Sequence, residues 1–210
     1  MPRKRATPRT LSEVIDAALL VVDEAGLDGL TLRGVAAVSG VPTMTLYAYF
    51  ESKEQLVELM ASAVTSRLFA VTKRATWQAT LEELCFHVRA TALAHPGWLS
   101  LFGRGERPPS FPIREHVRSL MLASGYSERV AGRAVLEASL MSLGLAQLQL
   151  SVLRGRTAPA PGVVQLSSRD LDWDGTFAAT VARWIAGLDA EARPRALPAP
   201  PHAARASSTP

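Results

Sequence analysis

The sequence predicts an all-α chain, with a small N-terminal three-helix unit containing a helix-turn-helix and a larger helical body behind it. Three observations predict this. Apolar residues recur at three- and four-residue spacing along most of the chain. No stretch alternates apolar and polar residues long enough to argue a strand. Ser or Thr precedes many of the periodic segments, and Gly or Pro follows them. With 210 residues and 48% apolar content, the chain can build one or two cores.

Residues 1–9 carry Arg3, Lys4, Arg5 and Arg9 beside two prolines and show no apolar period. They read as a disordered basic arm that either stays solvated or reaches phosphates and the minor groove. From 11 to 25, Val14, Ala17, Ala18, Val21 and Val22 form one face of a first helix; Thr10 and Glu13 open it with capping-box spacing and Gly26 ends it. Thr31 then caps a second helix through Leu32, Val35 and Ala36, Gly40 supplies the turn, and Pro42 opens a third helix that Leu46 and Phe50 hold down. The other face of that third helix is Thr43, Met44, Thr45, Tyr47 and Tyr49. Hydroxyls, methyls and rings of this kind suit base edges and phosphates in a major groove. A plain helical hairpin facing water fits the same pattern.

Ser52 and Gln55 repeat the capping-box spacing, and residues 53–73 read as a long helix with Leu56, Leu59, Met60, Ala63, Val64 and Leu68 inward. A helix over 76–95 stops at Pro96-Gly97, a short apolar piece covers 98–102, and Gly and Pro make a loop of the next ten residues. Helices over 113–124 and 127–154 flank Gly125, a Pro-rich loop covers 156–168, and a last helix covers 172–192. The resulting division is a basic arm at 1–9, a helix-turn-helix unit at 10–55, a larger helical body at 56–192, and a disordered tail of Ala, Pro, Arg and Ser at 193–210. The window 134–153 approaches membrane-spanning length but contains Glu137, Gln147 and Gln149, so a core or interface helix is expected and no membrane partner.

A net charge of +4 and a pI near 9.7 permit an anionic partner. Yet Glu13, Asp16, Asp23, Glu24 and Asp28 outnumber the single Arg33 in the same region, so any DNA affinity has to come from a few placed cations and the arm. Cys85 is the one cysteine, which excludes an intrachain disulfide and a thiol metal cluster and suggests a reducing, cytoplasmic setting. In an apolar helix it reads as a small core residue. Glu13 and Asp16 interrupt any signal-peptide pattern. His87, His95, His116 and His202 lack metal-ligand spacing, no G-x-S-x-G elbow occurs, and Gly103-Arg104-Gly105 lacks the rest of a phosphate-binding fingerprint. An enzyme is therefore not expected, and Glu82, Glu83 and His87 are the one polar grouping on a helix that such chemistry could use.

The run TLYAYFESKEQL places Leu46, Tyr47, Tyr49, Phe50 and Lys53 in a pattern that resembles the tetracycline-repressor family of transcriptional regulators, and the match extends from about 11 to 60. The resemblance implies a homodimer whose recognition helices enter successive major grooves of a palindromic double-stranded operator, and whose C-terminal bodies respond to a small-molecule effector. We expect Thr43, Met44, Thr45, Tyr47 and Tyr49 to read or position the operator and Arg33 and Lys53 to meet phosphates. Trp77, Gln78 and His95 stand at a spacing similar to that of the tetracycline-binding members, in which the last two long helices form the dimer interface. That interface would fall here at about 134–153 and 177–188, with Leu143 in the seam. Those members hold a metal-chelated drug through His and Asn, and the matching positions here are Phe69, Leu84 and about Leu101, none of which ligates Mg²⁺. A more apolar effector is expected, without metal or other cofactor, among Phe69, Leu84, Val88, Trp98, Leu101 and Met141, with Gln147 as a polar anchor. Two alternatives stay open: these side chains fill a core and leave no cavity, or the chain is a helical binding or scaffold protein that keeps the motif without reading DNA.

Overall fold

A computed structural model of the protein describes residues 10–104, 112–154 and 171–192; the expected arm, the two loops around 105–111 and 155–170, and the tail lie outside the described residues. Within these limits the fold is all-α: α1 Leu11–Ala25, α2 Leu32–Ser39, α3 Thr43–Leu46, α4 Lys53–Leu68, α5 Trp77–Ala94, a 3-10 helix Pro96–Ser100, α6 Pro112–Ala123, α7 Glu128–Leu153 and α8 Trp173–Ala192. The first three helices pack around Val14, Ala18, Val22, Leu30, Val35, Leu46 and Phe50. α5 runs through the middle of the body and meets α4, α6, α7 and α8. The buried apolar residues form one continuous cluster from Val14 to Leu188.

Helix starts follow side-chain chemistry. Thr10 and Glu13 make the reciprocal capping box, with Glu13 N–H on Thr10 Oγ1 at 3.2 Å and Thr10 N–H on the Glu13 carboxylate at 2.7 Å. At α4 only half of the expected box forms: Ser52 Oγ accepts the Gln55 N–H at 3.1 Å, but the Gln55 side chain reaches one residue further back, to Glu51 N–H. The third helix is shorter than its sequence predicts. Regular α3 ends at Leu46, and the chain continues through Tyr47 and Tyr49 in tight turns closed by Ala48 N–H to Thr45 O and Tyr49 N–H to Leu46 O.

α4 also stops early, at Leu68 rather than near 73. Tertiary hydrogen bonds replace the missing helical ones: Thr72 N–H donates to Glu83 Oε1, Arg74 N–H donates to Thr80 Oγ1, and the Arg74 side chain pairs with Glu83. The Arg74 guanidinium holds the Glu83 carboxyl below the usual carboxylate range.

α7 is long and apolar enough to cross a membrane by composition alone. Its pattern explains the apolarity otherwise. The inward residues are mostly small, Ala131, Ala134, Ala138, Ser139, Ser142 and Ala146, while Leu136, Leu140, Leu148 and Leu153 point outward. Small side chains let α5 and α7 approach closely enough that Cys85 Sγ lies 4.0 Å from Ala138 O. Leu143, expected in an intermolecular seam, is only 8% exposed and belongs to the intrachain core. The outward leucines are the residues left for a partner.

The three-helix unit meets the body where α1 packs on α4 and the 3-10 helix and bonds to His95, the residue that caps the end of α5. Asp23 Oδ2 lies 2.7 Å from His95 Nδ1, the His95 ring stacks on Trp98 at 4.0 Å, and the Arg67 guanidinium sits 5.4 Å from the Trp98 ring while pairing with Asp16. Gly97 packs directly on α1, where a Cβ would come within 2.4 Å of Val22 O. Gly97→Ala should therefore lower stability by about 1–3 kcal/mol, since the obstacle is helix backbone that cannot rotate away. An unchanged urea midpoint would show that α1 and the 3-10 helix separate without cost.

Candidate nucleic-acid interface and effector core

The helix-turn-helix is fixed by three local devices. Thr31 Oγ1 accepts Gly34 N–H at 3.1 Å to start α2. Gly40 takes φ +71, the left-handed conformation that a Cβ disfavours, and its N–H closes on Ala36 O at 3.0 Å. Ser39, buried in an otherwise apolar corner, accepts the Val41 N–H at 3.2 Å. Sequence reasoning missed Ser39, although Ser two residues before a turn's first apolar residue is the usual signal for such a local bond.

The turn then presents a narrow outer face. Met44 is 83% exposed and Tyr47 is 50% exposed, and Thr45 is exposed between them. Thr43 and Tyr49 are half-buried, and Tyr49 packs against the core, so the open face is smaller than the five residues expected. Tyr47 leans on Phe50, with ring centroids 6.4 Å apart, which anchors one exposed ring to the core. Arg33 on α2 and Lys53 at the start of α4 are both exposed, and neither makes an ion pair among the described residues. Two acids of α1 are drawn away from this face, Asp16 by Arg67 and Asp23 by His95.

In the body, Leu84, Val88, Trp98 and Leu101 are buried together, with Phe69 and Met141 partly buried against the same cluster. All six belong to or pack on one apolar cluster. The space bordered by Val64, Leu68, Thr91, Trp98, Phe102 and Leu143 amounts to about 10 Å³, room for roughly one water. Gln147, expected as a polar anchor within this core, is instead exposed on α7. Two residues further on, Gln149 faces inward: its Oε1 accepts from Arg89 Nη2 at 2.8 Å. Arg89 is the buried cation that the sequence reading missed. It also donates to Asp174 Oδ1 at 2.8 Å and lies 4.8 Å from the Phe177 ring, so one guanidinium ties α5 to α7 and α8. Its signal was a charge placed four residues after Cys85 on an otherwise buried helix face.

The polar groups flagged for catalysis do not converge. Glu83 is engaged with Arg74, His87 Nε2 lies 2.8 Å from Arg67 O, and Glu82 is exposed. Among the described residues no three His, Cys, Asp or Glu side chains group as a metal site. Cys85 is fully buried, and burial pushes its thiol up to about 11, away from thiolate reactivity.

Residues 14–60 match the bacterial regulatory proteins of the tetR family. The transcriptional repressor DrrR1 of Streptomyces coeruleorubidus is 32% identical over 146 residues, 67% of this chain and 54% of that protein. The class E tetracycline repressor of Escherichia coli is 29% identical over 122 residues, 56% of this chain and 58% of that protein. The chain thus spans little more than half the length of these two relatives. The crystal structure of ActR from Streptomyces coelicolor in complex with (S)-DNPA superposes with a TM-score of 0.62 at 25% identity, covering 89% of this chain and all of that one. Residues 14–60 thus match the tetR family of bacterial regulatory proteins, and the helices behind them resemble DrrR1 in sequence and ActR in fold.

Proposed function

We propose that the protein is a ligand-responsive repressor of transcription, cytoplasmic and homodimeric, that leaves a palindromic double-stranded operator when a small effector binds its body. The observation that carries this reading is the exposed Met44–Thr45–Tyr47 face, held by a rigid turn and flanked by the exposed cations Arg33 and Lys53, which make no ion pair among the described residues. A scaffold protein would have no use for such a face, and the repressor DrrR1 and the ligand-bound ActR support the same reading. In this proposal residues 10–55 bind DNA and 56–192 carry the response and the dimer, with a basic arm at 1–9 free to reach the adjacent minor groove. No catalytic step is assigned.

Thr45 and Tyr47 select the operator, Thr43, Met44 and Tyr49 support that contact, and Arg33 and Lys53 meet phosphates. Thr45→Ala and Tyr47→Ala should narrow the gap between specific and nonspecific binding. Lys53→Ala should weaken binding to every sequence and reduce the salt slope by about one unit per subunit contact. Electrophoretic mobility measured across a salt series separates the two effects, and unchanged operator binding in all three variants would falsify the repressor reading.

The dimer is proposed to form through α7 and α8, with Leu136, Leu140 and Leu148 in the seam. Leu140→Arg, at a position 58% exposed in the single chain, should shift the protein to monomer in light scattering while leaving its helical content unchanged. Leu143→Arg should instead unfold the body, because that side chain is interior.

The effector is proposed to be apolar and bound without metal, since Phe69, Leu84 and Leu101 offer no donor to a cation. Its site lies in the α4–α5–α7 core around Leu84, Val88, Trp98, Leu101 and Met141, and the polar anchor available there is Thr91 rather than Gln147. Mg²⁺–tetracycline should fail to release the dimer from operator. Apolar aromatic compounds that do release it should raise the unfolding free energy by about 2.7 kcal/mol at a hundredfold excess over Kd. Release by Mg²⁺–tetracycline would overturn the metal-free assignment.

A further inference from the structure

A cleft of about 280 Å³ opens at the end of the body farthest from the helix-turn-helix, roughly 27 Å along α5 from His95. Its walls come from the first turn of α5, the end of α6, the turn into α7 and the last turns of α8, through Trp77, Gln78, Leu120, Ser124, Tyr126 and Asp189. Asp189 Oδ1 accepts from Tyr126 Oη at 3.0 Å and from Gln78 Nε2 at 3.3 Å. Both donors are neutral, so a half-buried carboxylate faces this cleft with dipoles but, among the described residues, no counter-charge. Trp77 meets Tyr126 edge-on at 5.3 Å, which gives the wall beside the carboxylate an aromatic character.

The helix ends around the cleft do not reverse the sign. α6 and α8 bring their carbonyl ends to it, and α5 and α7 bring amide ends that are already capped, Thr76 Oγ1 accepting the Ala79 N–H at 3.2 Å and Ser127 Oγ the Val130 N–H at 3.4 Å. An anion would meet Asp189 with no cation among the described residues to offset it, and a neutral ligand would leave the carboxylate to the two neutral donors and solvent. We infer that this cleft binds a small organic ammonium ion, with its charge on Asp189 and its carbon body against Leu120 and the edges of Trp77 and Tyr126. The size fits a single-ring amine, since the space lies just below the range of about 300–1,000 Å³ that drug-sized ligands occupy. The site is separate from the apolar core proposed for the effector and does not depend on that reading.

The test is calorimetric titration of the full chain without DNA, using 2-phenylethylammonium, with 2-phenylethanol and 3-phenylpropionate at the same ionic strength as neutral and anionic counterparts. The ammonium ion should bind at least tenfold more tightly than either. Asp189→Asn, which keeps an acceptor for Tyr126 and Gln78, should abolish that preference without altering the thermal unfolding curve. Should that variant misfold, Ser124→Lys at the exposed rim supplies an internal counter-charge and should block the ammonium alone. Equal affinity for amine and alcohol, no heat up to millimolar amine, or a charge preference that survives both substitutions would each overturn the proposal.

Discussion

The arrangement depends first on the contact between α1 and the end of α5. If that contact were soft, whatever happens in the body would not reach α3. Its charged members alone cannot make it stiff: exposed ion pairs such as Arg67 with Asp16 are worth about 0.2–1 kcal/mol each. Shape contributes more. Gly97 lies against the α1 backbone with no room for a methyl group, and Trp98 is held between the stacked His95 ring and the Arg67 guanidinium. The polar groups then set direction, because His95 and Arg67 bond to two α1 acids lying seven residues apart, on one side of that helix. A rotation of α1 would break both at once.

The space between α4, α5 and the 3-10 helix behind this contact is small, and that constrains how a ligand could act there. Room for about one water cannot admit a ring, so an effector entering at that point has to select a conformation in which α4, α5 and α7 stand further apart. Its apparent affinity is reduced by the fraction of time that conformation is populated, and it moves α3 only to the extent that it prefers the open state. Trp98 borders that space and also belongs to the α1 contact, which makes it the shortest physical route between the two. Arg89 limits the opposite side, since its bonds to Gln149 and Asp174 hold α7 and α8 to α5.

Much of this was legible in the sequence because helix ends are local. Thr10, Thr31, Ser52, Thr76 and Ser127 each bond an N–H three residues on, and Gly26 and Gly40 stand where positive φ is needed, so the starts of α1, α2, α4, α5 and α7 follow from short-range chemistry. What local chemistry cannot fix is phase. α7 is apolar on all sides, and periodicity alone does not say which face turns inward. Leu143 in a seam and Gln147 in the core would place both opposite to where they lie. The packing puts mostly alanines and serines inside, with Leu143 among them, and Leu136, Leu140 and Leu148 outside, because α5 approaches closely. The early end of α4 was hidden for a related reason, since Thr80 and Glu83, six and eleven residues beyond the amides they bond, hold the chain out of the helix.

The charge distribution gives the DNA-binding face its character. Of the net +4, little sits on the helix-turn-helix, where Arg33 and Lys53 are the cations beside the exposed turn. Two such contacts per subunit make four per dimer, and at a slope of about −0.9 per phosphate contact they yield a salt dependence near −3.6, modest for a DNA-binding protein. Sequence-independent attraction from these two cations is therefore weak. In the proposed repressor the rest comes from the basic residues of 1–9, from Thr45, Tyr47 and Met44 against base edges, and from having two such faces at fixed separation. That places a premium on the α1 contact and on the leucine face of α7, because an error in either spacing loses the second half-site entirely.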